Sequence, residues 1–294
     1  MTRAALPLLV SCLALAATGP ARGEEAAPAA GKALRVCADP NNLPFSNSRG
    51  EGFENRIAAL LARDLGWPLE YTWFPQRMGF VRNTLKRKDP VSGAFACDVV
   101  MGVPAEFDLT DTTTPYYRST YAMVFARGHG LDGVRAPDDV LTLDPPVLRS
   151  LRFGLFGRTP PTEWLLRHGL MGQAVPYPIQ TGDPDQFPGD VIERDLAAGR
   201  IDVALVWGPI AGYLATRRAA APLAVVAFPA QAGIRFDFSV SMGVRKGDDA
   251  WRAVLEQFLA RNRGAIQAIL SEYGVPQLEP AATAAPLRPG YSSR

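Results

Sequence analysis

Between residues 34 and 103, short β-forming runs alternate with one well-marked helical run. That order constrains the fold more than any other feature of the chain. "ALRVCA" reads as a strand. "FENRIAALLARDLG" then places apolar residues at 53, 57, 60, 61 and 65, the spacing of one helix face, and stops at Gly66 with Pro68 just beyond. "LEYTWF" alternates as a half-buried strand does, and "CDVVMGV" is apolar enough to be buried on both faces. Parallel neighbours need a crossover helix, so strand, helix, strand, strand implies a parallel α/β sheet.

The pattern repeats further on. "YYRSTYAMVFARG" is a long β-rich stretch, followed by a polar, Pro-rich linker over 128–150. A second α/β unit begins at "LRFGLFG". There Thr159 can N-cap a helix with Pro160 at its first position, and Asp190 with Glu193 forms a capping box in "DVIERDLAAGR". "IDVALVW" and "PLAVVAF" follow as strands, and "FSVSMGVRKG" returns as a strand before two terminal helices around Trp251–Leu259 and Ile266–Leu270. The expectation is an α/β protein of two lobes, 33–120 plus 241–276 and 121–240, with a loose tail over 277–294. Two strand-like crossings near 119–123 and 239–242 would join the lobes and leave a cleft between them.

The chain opens with "MTRAALPLLVSCLALAATGPARG", a basic start, an apolar core and a small-residue end. This is the layout of a secretory signal peptide, with cleavage expected near Gly23. The apolar run is shorter than the ~20 residues a membrane span needs, so no membrane insertion is expected. Loss of Arg3 and Arg22 with the leader takes Lys+Arg from 31 to 29, equal to the 29 acidic residues. A formally neutral chain offers no basic stripe for nucleic acid.

Two cysteines, Cys37 and Cys97, remain after Cys12 leaves with the leader. An oxidising compartment invites them to pair. Yet if "LRVCAD" and "ACDVVMG" are parallel neighbours aligned at their ends, the thiols stand three residues out of step, ~10 Å by strand rise. A disulfide needs its Cα atoms within ~7 Å. The sequence leaves this bond open.

Catalytic constellations are missing from the sequence. The two histidines, His129 and His168, sit in polar, loop-like surroundings without a GxSxG elbow, zinc spacing, Walker A or GxGxxG motif. What gathers instead is a set of residues at strand ends, where open α/β sheets place their ligands. Asp39, Asn41 and Phe45 follow the first strand, and Arg77 follows the second. Glu106, Tyr116, Tyr117 and Arg118 follow the third, and Thr159 and Trp207 belong to the second unit.

These residues sit in strings that resemble the type II periplasmic solute-binding proteins of the family 3, polar-amino-acid-binding kind: "ADPNNLPFSN", "GEGFENRIAALLARDLG", "CDVVMGV", "TTTPYYRSTYAMVF", "AGRIDVALVWGPIAGYL" and "VSMGVRKGD". The resemblance spans residues 33–275 and implies two α/β lobes, joined by two hinge strands, that close on a ligand. Two departures stand out. Gly102-Val103-Pro104-Ala105 carries no Arg to clamp a carboxylate, and Trp207 stands where amino-acid binders place an Asp for the substrate ammonium. Both ends of a zwitterion would lose their charge partners, at a cost of several kcal/mol, so a free amino acid does not fit.

Longer strings, "RVCADPNNLPFSN", "PQRMGFVRNTL", "TTPYYRSTY" and "VWGPIAGY", narrow the resemblance to the quinoprotein-dehydrogenase-associated branch, the J proteins of methanol-oxidation gene clusters. That branch implies a periplasmic accessory protein for a PQQ-dependent methanol or alcohol dehydrogenase, acting in its maturation or activation. It implies neither an enzyme nor a resident cofactor or metal. The other expectations are a transport receptor for a small, weakly polar solute and, further off, a dehydratase using Glu106 or Asp108 as its acid.

Overall fold

The computed structural model describes residues 32–179, 188–216 and 222–279. The expected signal peptide lies outside them. The first lobe opens with β1 (Leu34–Ala38), the small hairpin β2 (Asn41–Asn42) and β3 (Ser46–Asn47), α1 (Phe53–Leu65), β4 (Leu69–Trp73) and α2 (Phe80–Asn83). It continues through β5 (Val99–Pro104) and β6 (Asp111–Thr112) into the long strand β7 (Tyr117–Ala126). The second lobe holds α3 (Pro145–Ser150), β8 (Phe153–Phe156), α4 (Pro160–Arg167), β9 (Ala174–Tyr177), α5 (Pro188–Ala197), β10 (Val203–Trp207), α6 (Gly208–Thr216) and β11 (Leu223–Ala227). The strand β12 (Asp237–Val244) returns, and α7 (Asp249–Glu272) closes the chain.

The sheet runs β4-β1-β5-β12-β7-β10-β8-β9, with β11 on β7 and β6 on β12. β1 pairs in parallel with β4 and β5, as the strand–helix–strand order requires. The long strand β7 serves both halves. Tyr117 to Thr120 pair with β12, while Tyr121 to Val124 pair with β10 and Ala122 to Ala126 with β11. One apolar core gathers Phe53, Ile57, Leu61, Met101, Met242 and Phe258, and another gathers Phe125, Phe153, Trp164, Leu205 and Phe236. Each lobe therefore buries its own apolar face, and two antiparallel strands cross between them.

Several expectations are corrected. The two terminal helices are one, because Leu255, Phe258, Leu259, Ile266, Ile269 and Leu270 keep a single helical stripe across Gly264, which stands in open space. The stretch over 128–150, expected as a linker within the second lobe, is packed structure, since Leu131, Val134 and Val140 are buried in that lobe's core. Thr159 occupies the N-cap position of α4, but its hydroxyl donates backwards to the Phe156 carbonyl at 2.6 Å. Asp190 lies inside α5 instead of capping it, because the helix already begins at Pro188. The start of the expected loose tail is held: the Leu278 N–H donates to the Arg118 carbonyl at 2.9 Å.

Cys37 and Cys97 form a disulfide, with Cα atoms 5.4 Å apart. The three-residue offset is present, since Cys37 pairs with Val100 in the ladder. β5 begins only at Val99, however, so the chain before it turns back over β1 instead of running on extended. Two arginines hold that turn. Arg35 donates to the Phe95 carbonyl at 2.5 Å and grips Asp98, and Arg245 donates to the Cys97 carbonyl at 2.6 Å and to Asp98 at 3.0 Å.

The bond closes a loop with a sequence separation of 60 residues. Cys37→Ser with Cys97→Ser is expected to lower stability by about 2–4 kcal/mol, read by urea unfolding. Reductant should weaken the wild type alike and leave the double variant unmoved; equal stability of the two proteins without reductant would contradict this.

Candidate functional site

The carboxyl ends of β1 and β5 face the start of α4 and the end of β10 across a groove of about 450 Å³. Its first wall is built by the β2–β3 hairpin folding onto α1. The Asn55 side-chain oxygen accepts from the Asn47 and Gly52 N–H groups at 3.0 and 3.1 Å, and Glu54 N–H donates to the Phe45 carbonyl at 2.9 Å. A Cβ at Gly52 would stand 2.0 Å from that same carbonyl, so only glycine allows the contact. This seating brings Phe45 and Glu54 to the groove together.

The other wall is aromatic. Trp207, at the last position of β10, pairs in register with Tyr121 of β7. Its ring meets Tyr121 and Phe238 edge-on, with centroids 5.4 and 5.9 Å away. Tyr117 and Val240 from the crossing strands form the floor, and Phe156, Ile179 and Ile210 complete the far side. Among the described lining residues there is no Lys, Arg or His, and Glu54 is the one acid.

Glu54 is the residue that sequence reasoning missed. Burial among these rings pushes its carboxyl up to about 8, and the nearby Asp39 charge adds to the rise. The amino-terminal turn of α1 favours the ionised form by about 0.3–1 kcal/mol, less than the penalty for a carboxylate without a partner among apolar walls. Gly102 of β5 makes the room, since a Cβ there would lie 2.2 Å from the Glu54 Oε1. Burial likewise raises the Tyr117 hydroxyl well above its ordinary value and that of Tyr121 to about 12. Both phenols therefore stay protonated at neutral pH.

The residues expected at the site divide. Phe45, Tyr117, Thr159 and Trp207 line the groove. Asp39 lies beside it, accepting from the Asn41 and Gln76 N–H groups at 2.8 and 2.5 Å. Asn41 sits on the same hairpin. The others are elsewhere. Arg77 is exposed over the Phe74 ring at 5.9 Å. Glu106 is 85% exposed, with Arg235 3.8 Å away. Tyr116 donates to the Met101 carbonyl at 2.9 Å, and Arg118 pairs with Asp237 at 2.7 Å. Strand alternation explains the last case: with Tyr117 in the groove, Arg118 points to the opposite face.

Glu54 gives a sign to the pH dependence of stability. Its carboxyl lies near 8 when folded against an ordinary 4.5, so between those values the folded chain holds one more proton than the unfolded chain. This contribution is full below pH 4.5 and is lost at about 1.4 kcal/mol per unit as pH rises towards 8. Urea unfolding of Glu54→Gln should match wild type in mild acid and exceed it near neutral pH. A gap that stays constant across the range would contradict the assignment.

No protein-family profile matches the chain. The MoxJ protein of Methylorubrum extorquens is 30% identical over 269 residues, covering 87% of this chain and 84% of its own length. The crystal structure of the periplasmic binding protein XoxJ from Methylobacterium extorquens AM1 is 35% identical, covering 84% of this chain and all of its own, with a TM-score of 0.67. MxaJ from Methlophaga aminisulfidivorans is 26% identical over 83% of this chain and all of its own, with a TM-score of 0.66. The shared length takes in both lobes and the strands that cross between them, so this chain belongs to the MoxJ family of type II periplasmic binding proteins.

Proposed function

We propose that this protein is an accessory binding protein for a PQQ-dependent methanol or alcohol dehydrogenase in the periplasm, and that its groove receives a segment of that enzyme during maturation or activation. One observation carries the reading: the groove is apolar and open, and none of its described lining residues carries a positive charge to pair with a carboxylate. Zwitterions, organic acids and PQQ itself, with its several carboxylates, find no positive partner there. A protein segment brings apolar side chains, and aromatic anchors such as Trp207 are what protein contacts use.

The size of the groove favours a second reading. About 450 Å³ lies within the range of small-molecule sites, which suits a receptor for a weakly polar solute. A dehydratase is disfavoured. Glu106, one expected acid, is exposed and is not among the described residues that line the groove, and the carboxylate substrates of such enzymes meet no cation among those residues.

Capture of a purified PQQ-dependent methanol dehydrogenase on the immobilised full chain tests the proposal. Trp207→Ala is expected to weaken capture by about thirtyfold, the effect of losing a ~2 kcal/mol anchor, while leaving the melting curve cooperative. Undiminished capture would remove the groove from the contact. A melting temperature raised by small neutral solutes, with no dehydrogenase retained, would favour the solute receptor.

A further inference from the structure

We propose that the groove recognises a single organic cation, an alkylammonium or guanidinium group, with its charge at the Glu54 carboxyl and its carbon skeleton on the rings of Phe45, Tyr117, Tyr121 and Trp207. The inference rests on the groove being the recognition site of this binding protein. It adds the chemistry of what is recognised.

The charges point one way. Glu54 and Asp39 approach closely enough to repel, and among the described residues neither carboxyl meets a Lys or Arg. The missing charge in this part of the molecule is positive. Aromatic faces carry negative potential, so they attract a cation while offering apolar contact to its methylene groups. Another ring that lines the groove already does so: the Arg235 guanidinium lies 4.9 Å from the Phe238 centroid, with the exposed Glu106 3.8 Å from it. The place opposite Glu54 holds no such guanidinium among the described lining residues, and Gly102 leaves the carboxyl accessible.

A cation would bind the ionised carboxyl and displace its proton. Among the described residues, the titratable groups facing Glu54 are Asp39 beyond β1, Tyr71 on β4, Tyr116 just before β7 and Tyr117 at its start. The three phenols are all raised above their ordinary value, chiefly by burial, so they remain neutral while Glu54 titrates. Cation affinity should then rise as pH climbs to about 8, where Glu54 ionises, and level off above it. A neutral or anionic ligand that depends on the protonated carboxyl shows the opposite slope.

Isothermal titration of the full chain with n-butylammonium and n-butylguanidinium, beside 1-butanol and butyrate, reads the preference directly. We expect saturable cation binding that tightens about tenfold per pH unit below the Glu54 transition. Glu54→Gln should lose both the affinity and the slope. Butanol or butyrate binding as tightly as the cation, no saturable cation binding, or a flat pH profile would each overturn the inference. The isostere comparison uses the wild-type chain, so it stands even if the variant folds poorly.

Dehydrogenase capture repeated in excess butylguanidinium separates the source of the cation. Release of the enzyme identifies an Arg or Lys side chain of the partner as the bound group. If the cation binds as expected and capture does not depend on Trp207, the ligand is a free organic cation and the docking proposal falls. If capture depends on Trp207 but no cation preference is found, the docking proposal stands and this inference falls.

Discussion

Everything in this molecule hangs on the antiparallel ladder between Tyr117–Thr120 and Asp237–Val240. These residues are the crossing between two halves of the sheet that otherwise have separate cores. Alternation along each strand then sends neighbours to opposite faces. Tyr117, Phe238 and Val240 turn into the groove, while Arg118 and Ser239 face a second hollow behind it. Three of the eight residues that connect the lobes, Tyr117, Phe238 and Val240, therefore also line the site, and a change in how the lobes meet must alter the groove.

The ladder is also tied to the end of the chain. The Ser119 hydroxyl donates to the Pro276 carbonyl at 2.6 Å, and Leu278 N–H bonds to Arg118. Gly212 of α6 has so little room that a Cβ would stand 1.9 Å from the Gly274 carbonyl. Tyr213 and Tyr273 stack beside this contact, with centroids 6.2 Å apart. A helix of the second lobe thus rests on the turn that ends α7 of the first. Rotation about the crossing strands alone would shear these contacts, so large opening of the lobes meets resistance that the strands by themselves would not supply.

Much of this architecture was legible because it follows from periodicity. The apolar positions of α1, the alternation in "LEYTWF" and the apolar run of "CDVVMGV" each specify an element through burial, and burial dominates folding. The misreadings have one cause. The last helix was expected as two, but its apolar stripe continues on both sides of Gly264 and outweighs one glycine, which costs only about 1 kcal/mol in a helix. Residues 128–150 looked like a linker because their polar residues outnumber Leu131, Val134 and Val140, although those three carry the packing. The disulfide stayed open because strand register is readable, whereas the turn held by Arg35 and Arg245 is a tertiary contact between residues far apart in sequence.

The same limit hid Glu54. An acid in the first turn of a helix is what the helix dipole favours, so nothing in "GFENRIA" separates it from an ordinary surface glutamate. Its surroundings come from four distant places: the hairpin that seats it, Gly102, Tyr117 and the aromatic wall at Trp207. Trp207 could be singled out because the resemblance supplied an expected Asp at that position; Glu54 had no such contrast. Together they change the electrostatics of the groove. Replacing an acid by an indole on one wall removes the partner for a substrate ammonium, and the carboxyl on the other wall restores one negative group among rings. A carboxyl so placed weakens the empty protein at neutral pH, because it must either stay protonated or lose its hydration. In the recognition proposed above a positive group completes the pair, so at neutral pH its use there lies in the bound state and not in the fold.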